Sequence, residues 1–404
     1  MPSNLDDMMS ADVMTDPHSY NHRLRAADPV YWNAKWGGWV LTRYTDIVQV
    51  LRDAENFSSD RMAFLEQELP KEDIERFQPI FRILANWMVF SDPPRHTHLR
   101  KLLNSRFTPK AIEMWRPRVR QIVNDVIDTL PRDKTIDLVH DFSYLVPLTV
   151  ILDMLDAPAL DRDLIKHWSE QIGVFFFIRA DEPKRREIAC EGVNSFVAYL
   201  EPLVAERRKR PGTDMISALV QAQDDGGLTD DEVIATCVLL VFGGHETTMN
   251  LINNGTLAFI QHPDQWEKLA KHPELIVPAV EEILRFDSSV KSTVRWVKNE
   301  VGVGGKTIKK NERLLLVLAA ANRDPEQFAE PDALDITRDP NPHVAFAHGI
   351  HVCLGGPLAR LEAQEAFLGM TQRLPLPTLE TSQLDYHPAI ISRALKTLPV
   401  AFRN

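Results

Sequence analysis

The sequence predicts a helix-rich globular chain with a small β region, on three observations. Apolar residues recur at helical spacing from Ala111 to about Arg210. A second apolar helical pattern runs from about Asp230 to Gln261. Strand-like runs are short: Val30-Tyr31-Trp32 and Trp39-Val40-Leu41-Thr42 flank the turn signal Gly37-Gly38, and Thr293–Val297 follows far downstream. With 404 residues, 44 % of them hydrophobic and 25 % charged, the chain can bury a deep core, and its length alone allows one large fold or several domains.

Between these elements, a helix pattern passes through Ile47, Val48 and Leu51. The charged stretch from about Arg61 to Asn86 has no regular period, which leaves open a mobile substrate cover or a solvated loop with one surface helix. Asp92-Pro93-Pro94 starts a helix that carries His96 and Arg100 four apart on one face. Pro131, Pro147, Pro158 and Pro183 read as helix punctuation, and Arg207-Arg208-Lys209-Arg210 as a solvated helix end. Pro278 opens a helix on which Glu282 and Arg285 are neighbours. Val301–Lys306 is a β-turn, because no helix follows it to make a phosphate loop.

A net charge of −11 argues against a nucleic-acid binder. The charge is uneven, however: Arg95, Arg100, Lys101, Arg106, Lys110, Arg116, Arg118 and Arg120 face the single acid Glu113, a basic island suited to an acidic protein partner. No apolar run nears the roughly 20 residues of a membrane span, and the polar start Met1–Asp7 is unlike a signal peptide, so the expectation is a cytoplasmic protein without a membrane anchor. Cys190, Cys237 and Cys353 lie too far apart to suggest a disulfide framework, and the first two read as core fillers.

Cys353 is different. It sits in Phe346-Ala347-His348-Gly349-Ile350-His351-Val352-Cys353-Leu354-Gly355, ahead of a helical pattern that starts near Pro357. Free N–H groups and the positive end of that helix favour a thiolate, and Gly349 and Gly355 let the backbone approach a flat ligand, a geometry suited to an axial thiolate on haem iron. A buried apolar cysteine, or a zinc site with His343, His348 and His351, are the competing readings. A second informative run is Leu239–Thr248. Gly243 and Gly244 together cost a helix about 2 kcal/mol, which a ligand groove or a close helix contact would offset. Thr247 can turn its hydroxyl to the Gly243 carbonyl, and Glu246 adds an ionisable proton source.

These runs, in this order, resemble the cytochrome P450 family. Phe346–Gly355 is similar to its haem-binding loop, departing at Ala347, where the family usually has glycine. Gly243–Thr247 resembles its oxygen groove, with Glu246 and Thr247 at the acid–alcohol positions. Glu282 and Arg285, with Arg338 as third member, match its buried structural network, and His96 and Arg100 its partners for a haem propionate, a role open to Arg295 too. The resemblance spans the whole chain. It implies a mainly α, single-domain cytochrome P450 fold over residues 1–404, holding haem b with Cys353 on the iron and Gly243, Gly244, Phe346, Gly349, His351 and Gly355 around it. Phe175-Phe176-Phe177 would lie near the substrate entrance, and Leu239, Phe242, Val290, Ile390 and Ile391 would wall the pocket. Lys291 would anchor an anionic substrate or snorkel to solvent.

The chemistry implied is insertion of one oxygen atom of O2 into an apolar small organic substrate, Glu246 and Thr247 supplying protons. The chain carries no flavin, nicotinamide or ferredoxin motif. Electrons from NAD(P)H would therefore arrive through a ferredoxin or flavodoxin with its reductase, to a monomer. A peroxygenase or rearrangement enzyme, and a non-enzymatic haem sensor or carrier, stay open as other readings.

Overall fold

A capping box starts the element that organises the molecule. Thr229 Oγ1 accepts from the Glu232 N–H (3.2 Å) and Glu232 Oε2 from the Thr229 N–H (2.9 Å), so a helix begins at Asp230, as the sequence predicts. The computed structural model describes residues 5–179, 182, 184–224 and 227–403. Seven helices position the site: α1 (Arg95–Asn104), α2 (Arg116–Thr129), α3 (Leu145–Leu155), α4 (Arg162–Phe176), α5 (Asp230–Gln261), α6 (Ile276–Phe286) and α7 (Gly356–Arg373).

Helix α5 crosses the centre, packed by α3, α4, α6 and α7, and is apolar on nearly every side because protein surrounds it. Close approach of α7 requires a glycine: a Cβ at Gly255 would lie 2.4 Å from the Phe367 ring. The β region is a five-stranded sheet in the spatial order Val30–Asn33, Gly38–Leu41, Arg313–Leu316, Thr293–Val297, Phe57–Ser58. Its Thr293–Val297 strand pairs antiparallel with Arg313–Leu316 (Arg295 opposite Leu314), which aims Arg295 inward. Val301–Val303 and Lys306–Ile308 form the expected hairpin, Gly304 and Gly305 taking positive φ at its tip. Among the described residues no helix is long and apolar enough to cross a membrane.

The solvated-loop reading of 61–86 does not hold. Arg61–Glu68, Lys71–Arg76 and Gln78–Leu84 are three short helices, each with its own phase, and Met62, Phe77, Ile80, Ile83 and Leu84 are buried in the main core. Pro131 and Pro158 do fall between helices; Pro147 is tolerated in the first turn of α3, where no N–H is needed, and Pro183 lies outside the described residues. The cations at 207–208 are not simply solvated, since Arg207 pairs with Asp156 (2.6 Å) and Asp214 (3.1 Å) and Arg208 with Asp230.

The Glu282 carboxylate, wholly buried, takes two hydrogen bonds of 2.8 Å from Arg285, others from Arg338 and Asn341 (3.1 Å each), and one from the Asp335 N–H (3.0 Å). Arg285 spends its other donors on the carbonyls of Asn322, Pro331 and Ala333. Asn322 in turn accepts from the Val344 N–H (2.7 Å), and the neighbouring Glu281 holds Arg360 (2.7 Å) and His343 (3.0 Å). The segment leading to Cys353 is thereby tied at both ends to α6. Breaking such a buried pair by removing one partner typically costs about 3–5 kcal/mol.

Candidate active site

Cys353 sits in a tight loop three residues before α7, its N–H donating to the Phe346 carbonyl (3.0 Å). Its side chain is exposed, but to an internal cleft lined chiefly by apolar groups, which encloses about 1840 Å³ of empty space including its mouth. Burial pushes the thiol pKa up, against the N–H of Gly355, the charges of Arg100 and Arg360 and the N–H of Gly356.

Across the cleft from α7 run Leu239, Phe242, Gly243, Gly244 and Thr247 of α5. A Cβ at Gly243 would meet nothing within 4 Å, so this glycine opens the groove, while one at Gly244 would press on Ile151 of α3 at 3.1 Å, so the close-contact reading applies there. Thr247 Oγ1 donates to the Gly243 carbonyl at 2.8 Å, as the sequence predicts. Gly355 and Phe346 also line the cleft, and a Cβ at Gly355 would enter open space.

At one edge, cations and imidazoles gather. Arg295 is buried and bonds only its own strand, at Thr293 Oγ1 (3.2 Å) and the Val294 carbonyl (2.8 Å); burial brings its pKa down to about 10, still charged at neutral pH. Arg100 donates to the Val352 carbonyl (2.5 Å). Among the described residues, buried His96 has no hydrogen-bond partner on either ring nitrogen, and it packs its ring 4.2 Å from that of His351. Burial holds both imidazoles below their ordinary pKa, that of His351 at about 2, with Arg295, His96 and Arg100 adding to the effect. Among the described residues no acid forms an ion pair with Arg100 or Arg295. A flat group with carboxylates on its edge and a metal facing Cys353 satisfies these donors, so the residues fit a haem.

Four expectations are corrected. Gly349 does not line the cleft: at φ +73° its missing Cβ avoids the Leu51 carbonyl (2.2 Å), so it serves a contact with the helix Tyr44–Arg52. Ile390 faces a separate small cavity beneath the N-terminal segment, because neighbours in extended chain point to opposite sides and Ile391 takes the cleft. Lys291 neither anchors nor snorkels; its Nζ lies 3.6 Å from Met14 Sδ in that small cavity, and burial pushes its pKa down to about 7. Finally, half of the basic island is spent: Arg95 pairs with Glu232, Arg116 with Glu113 and Glu365, Arg118 with Asp153 and Arg120 with Glu365. Lys101, Arg106 and Lys110 remain exposed, with no acid partner among the described residues.

Glu246 also departs from expectation. One residue along a helix turns the side chain by about 100°, and Glu246 leaves the cleft to Thr247, facing instead a polar cavity with Lys166, Glu170, Arg179, His245 and His387. Its Oε1 is 3.5 Å from Arg179, and its Oε2 has no hydrogen-bond partner among the described residues. Burial, opposed by Arg179, pushes its pKa up to about 7. The imidazoles weighed for zinc are occupied otherwise: His343 binds Glu281, His348 lies 2.9 Å from Arg52, and His351 packs on His96.

Phe176, Phe177, Val290 and Ile391 complete the walls; Phe175 instead turns its ring to Arg61 (4.7 Å). Arg61 and Phe90 line the cleft unforeseen by the sequence reading. The only hint was one cation between the cap Asp60 and the apolar Met62-Ala63-Phe64-Leu65.

A cysteine aimed into a cleft opposite a glycine-opened groove on a long helix defines a haem-thiolate class of site, and comparison with known proteins makes the family specific. The sequence profile described as Cytochrome P450 matches residues 36–386. The "Biotin biosynthesis cytochrome P450" of Bacillus subtilis is 36 % identical over 97 % of this chain and 98 % of its own length. The "Vitamin D(3) 25-hydroxylase" of Pseudonocardia autotrophica is 37 % identical over 98 % and 96 %. The crystal structure of P450BioI in complex with hexadec-9Z-enoic acid ligated acyl carrier protein superposes with a TM-score of 0.90 at 36 % identity, covering 97 % of this chain and 99 % of that one. This chain belongs to the cytochrome P450 family. It is an oxidoreductase of the monooxygenase kind, working with haem iron and O2.

Because the folded pKa of Glu246 lies above its unfolded value of 4.5, the carboxyl lowers stability as pH rises from about 4.5 to about 7 and levels off beyond. Glu246→Gln is expected to flatten that part of the pH profile of unfolding free energy, by up to about 3 kcal/mol; denaturant titrations of both proteins across pH 4–8 check it.

Proposed function

We propose that haem b is held between α5 and the Cys353 loop, with Cys353 as the iron ligand and His96, Arg100 and Arg295 as partners of its carboxylates. The observation that carries this reading is the meeting of Cys353, the unpaired cations and the Gly243 groove at one cleft. Bound there, the haem supplies the iron at which O2 is reduced and split.

The chain's own groups then have separate tasks. Gly243 leaves room for O2 against the helix backbone. Thr247, anchored to the Gly243 carbonyl, offers its hydroxyl oxygen to a proton carrier. Glu246, free on one oxygen among the described residues and with its pKa raised to about 7, is a proton store on the far side of α5, in the polar cavity beside Arg179. Leu239, Phe242, Val290 and Ile391, with Phe90 and Phe176, hold an apolar substrate near the iron. Largely apolar molecules occur in complexes of the neighbours, one solved with hexadec-9Z-enoic acid ligated to an acyl carrier protein and another, CYP109E1 from Bacillus megaterium, with testosterone. NAD(P)H-derived electrons reach a cytoplasmic monomer, a single catalytic unit over residues 1–404, through a ferredoxin or flavodoxin with its reductase. That partner docks on the free cations Lys101, Arg106 and Lys110.

Haem-loaded protein, reduced under carbon monoxide, is expected to show the absorption of a thiolate-ligated iron, and Cys353→Ser to lose it; a spectrum like that of a histidine-ligated globin refutes the ligand assignment. Thr247→Ala is expected to lower product formed per NAD(P)H consumed by about 10-fold or more, with peroxide in its place. Undiminished coupling would mean another proton route. The triple change Lys101→Glu, Arg106→Glu, Lys110→Glu should slow reduction by ferredoxin or flavodoxin about 10-fold at low salt, and the docking surface is wrong if stopped-flow rates stay equal.

A further inference from the structure

Arg61 is a cation in the cleft that the haem reading leaves unused. It opens the helix Arg61–Glu68 and is 8 % exposed. Two of its N–H groups donate to the carbonyls of Phe176 (2.9 Å) and Phe175 (3.0 Å), at the C-terminal end of α4. Its guanidinium lies 4.7 Å from the Phe175 ring centre and 5.8 Å from that of Phe90. A guanidinium has five N–H donors, so most of its hydrogen-bonding capacity is unspent.

Its charge is equally unspent. Among the described residues no acid pairs with Arg61; the charged groups that act on it are Arg185 and Arg186, both repulsive. Burial, then these two arginines, bring its pKa down to about 9, which still leaves it protonated at neutral pH. The negative end of α4 and the ring faces offset part of the cost of burying this cation, and an anion would offset the rest. Arg295, by contrast, lies beside Arg100, His96 and His351 at the edge assigned to the haem, whereas Arg61 stands among the aromatic walls assigned to the substrate.

We propose that Arg61 anchors the carboxylate of an elongated apolar substrate, so that the enzyme selects long-chain carboxylic acids over their neutral analogues. Resting on the assignment of this cleft to substrate and haem, the proposal deepens it by naming the head group. Planar, bidentate donation suits arginine to a carboxylate. The positive field of Arg185 and Arg186, on the helix Arg185–Lys209, favours entry of an anion.

The test is calorimetric titration of the haem-loaded protein with dodecanoic acid, dodecan-1-ol and methyl dodecanoate. The acid is expected to bind at least about 10-fold more tightly than either neutral compound, the size of a charge-assisted hydrogen bond. Arg61→Gln, whose amide can still donate to the end of α4, is expected to bring the acid-to-alcohol ratio to about one. If that variant does not fold, Arg61→Lys, which keeps the charge without the fork, must still cut the ratio several-fold. The proposal is overturned if the wild-type protein binds acid and alcohol within about 2-fold, if it binds no dodecanoic acid, or if the preference survives in the variants. Calorimetry reads the head-group preference and the carbon monoxide spectrum reads the iron ligand, so the two assignments fail separately.

Discussion

The arrangement of the active site depends on one buried charge, the Glu282 carboxylate. Removed from water, it is tolerable only because donors from Arg285, Arg338, Asn341 and the Asp335 backbone surround it. Those donors come from separate stretches of chain, so satisfying the charge fixes where the segment from Asp335 to Asn341 runs against α6. Asn322 and Glu281 extend the hold to Val344, His343 and Arg360, on either side of the cysteine loop. A loop whose own backbone is strained at Ala347, with φ +57°, is thus presented to the cleft by bonds made elsewhere.

Helix α5 meets the cleft on one face and a polar cavity on the other. Thr247 belongs to the first and Glu246 to the second, although they are adjacent. The separation has a chemical use: a carboxyl that faced the apolar cleft would bring water and charge to the substrate, whereas one behind the helix can hold a proton beside Arg179 and polar neighbours. Electrostatics inside the cleft run the other way. Among the described residues Arg61 and Arg295 are buried without an ion-paired acid, so the cleft carries positive charge at two places.

Local patterns were legible wherever chemistry depends on residues close in sequence. The Thr247 bond to Gly243, the Glu282–Arg285 pair and the Phe346–Gly355 loop are each within a few residues of themselves, and helix geometry or turn sterics determines their contacts. The irregular stretch 61–86 was misread for the converse reason. Its three short helices follow no single period, and their burial comes from a core formed by distant α5.

The sequence by itself determined the family, the cysteine loop that leads into a helix, the Thr247 bond to Gly243 and the Glu282, Arg285 and Arg338 members of the buried network. Only the tertiary structure decided which way neighbouring side chains point: Glu246 behind α5, Ile390 away from the cleft, Gly349 against Leu51, and Lys291 beneath the N-terminal segment. It also decided that Glu365 and Asp153 consume Arg116, Arg118 and Arg120 of the basic island, and that Arg61 lies buried among aromatic rings. Spacing along a chain sets rotation about a helix or strand, but charge pairing and burial depend on what packs against that face, and those groups come from residues far away in sequence.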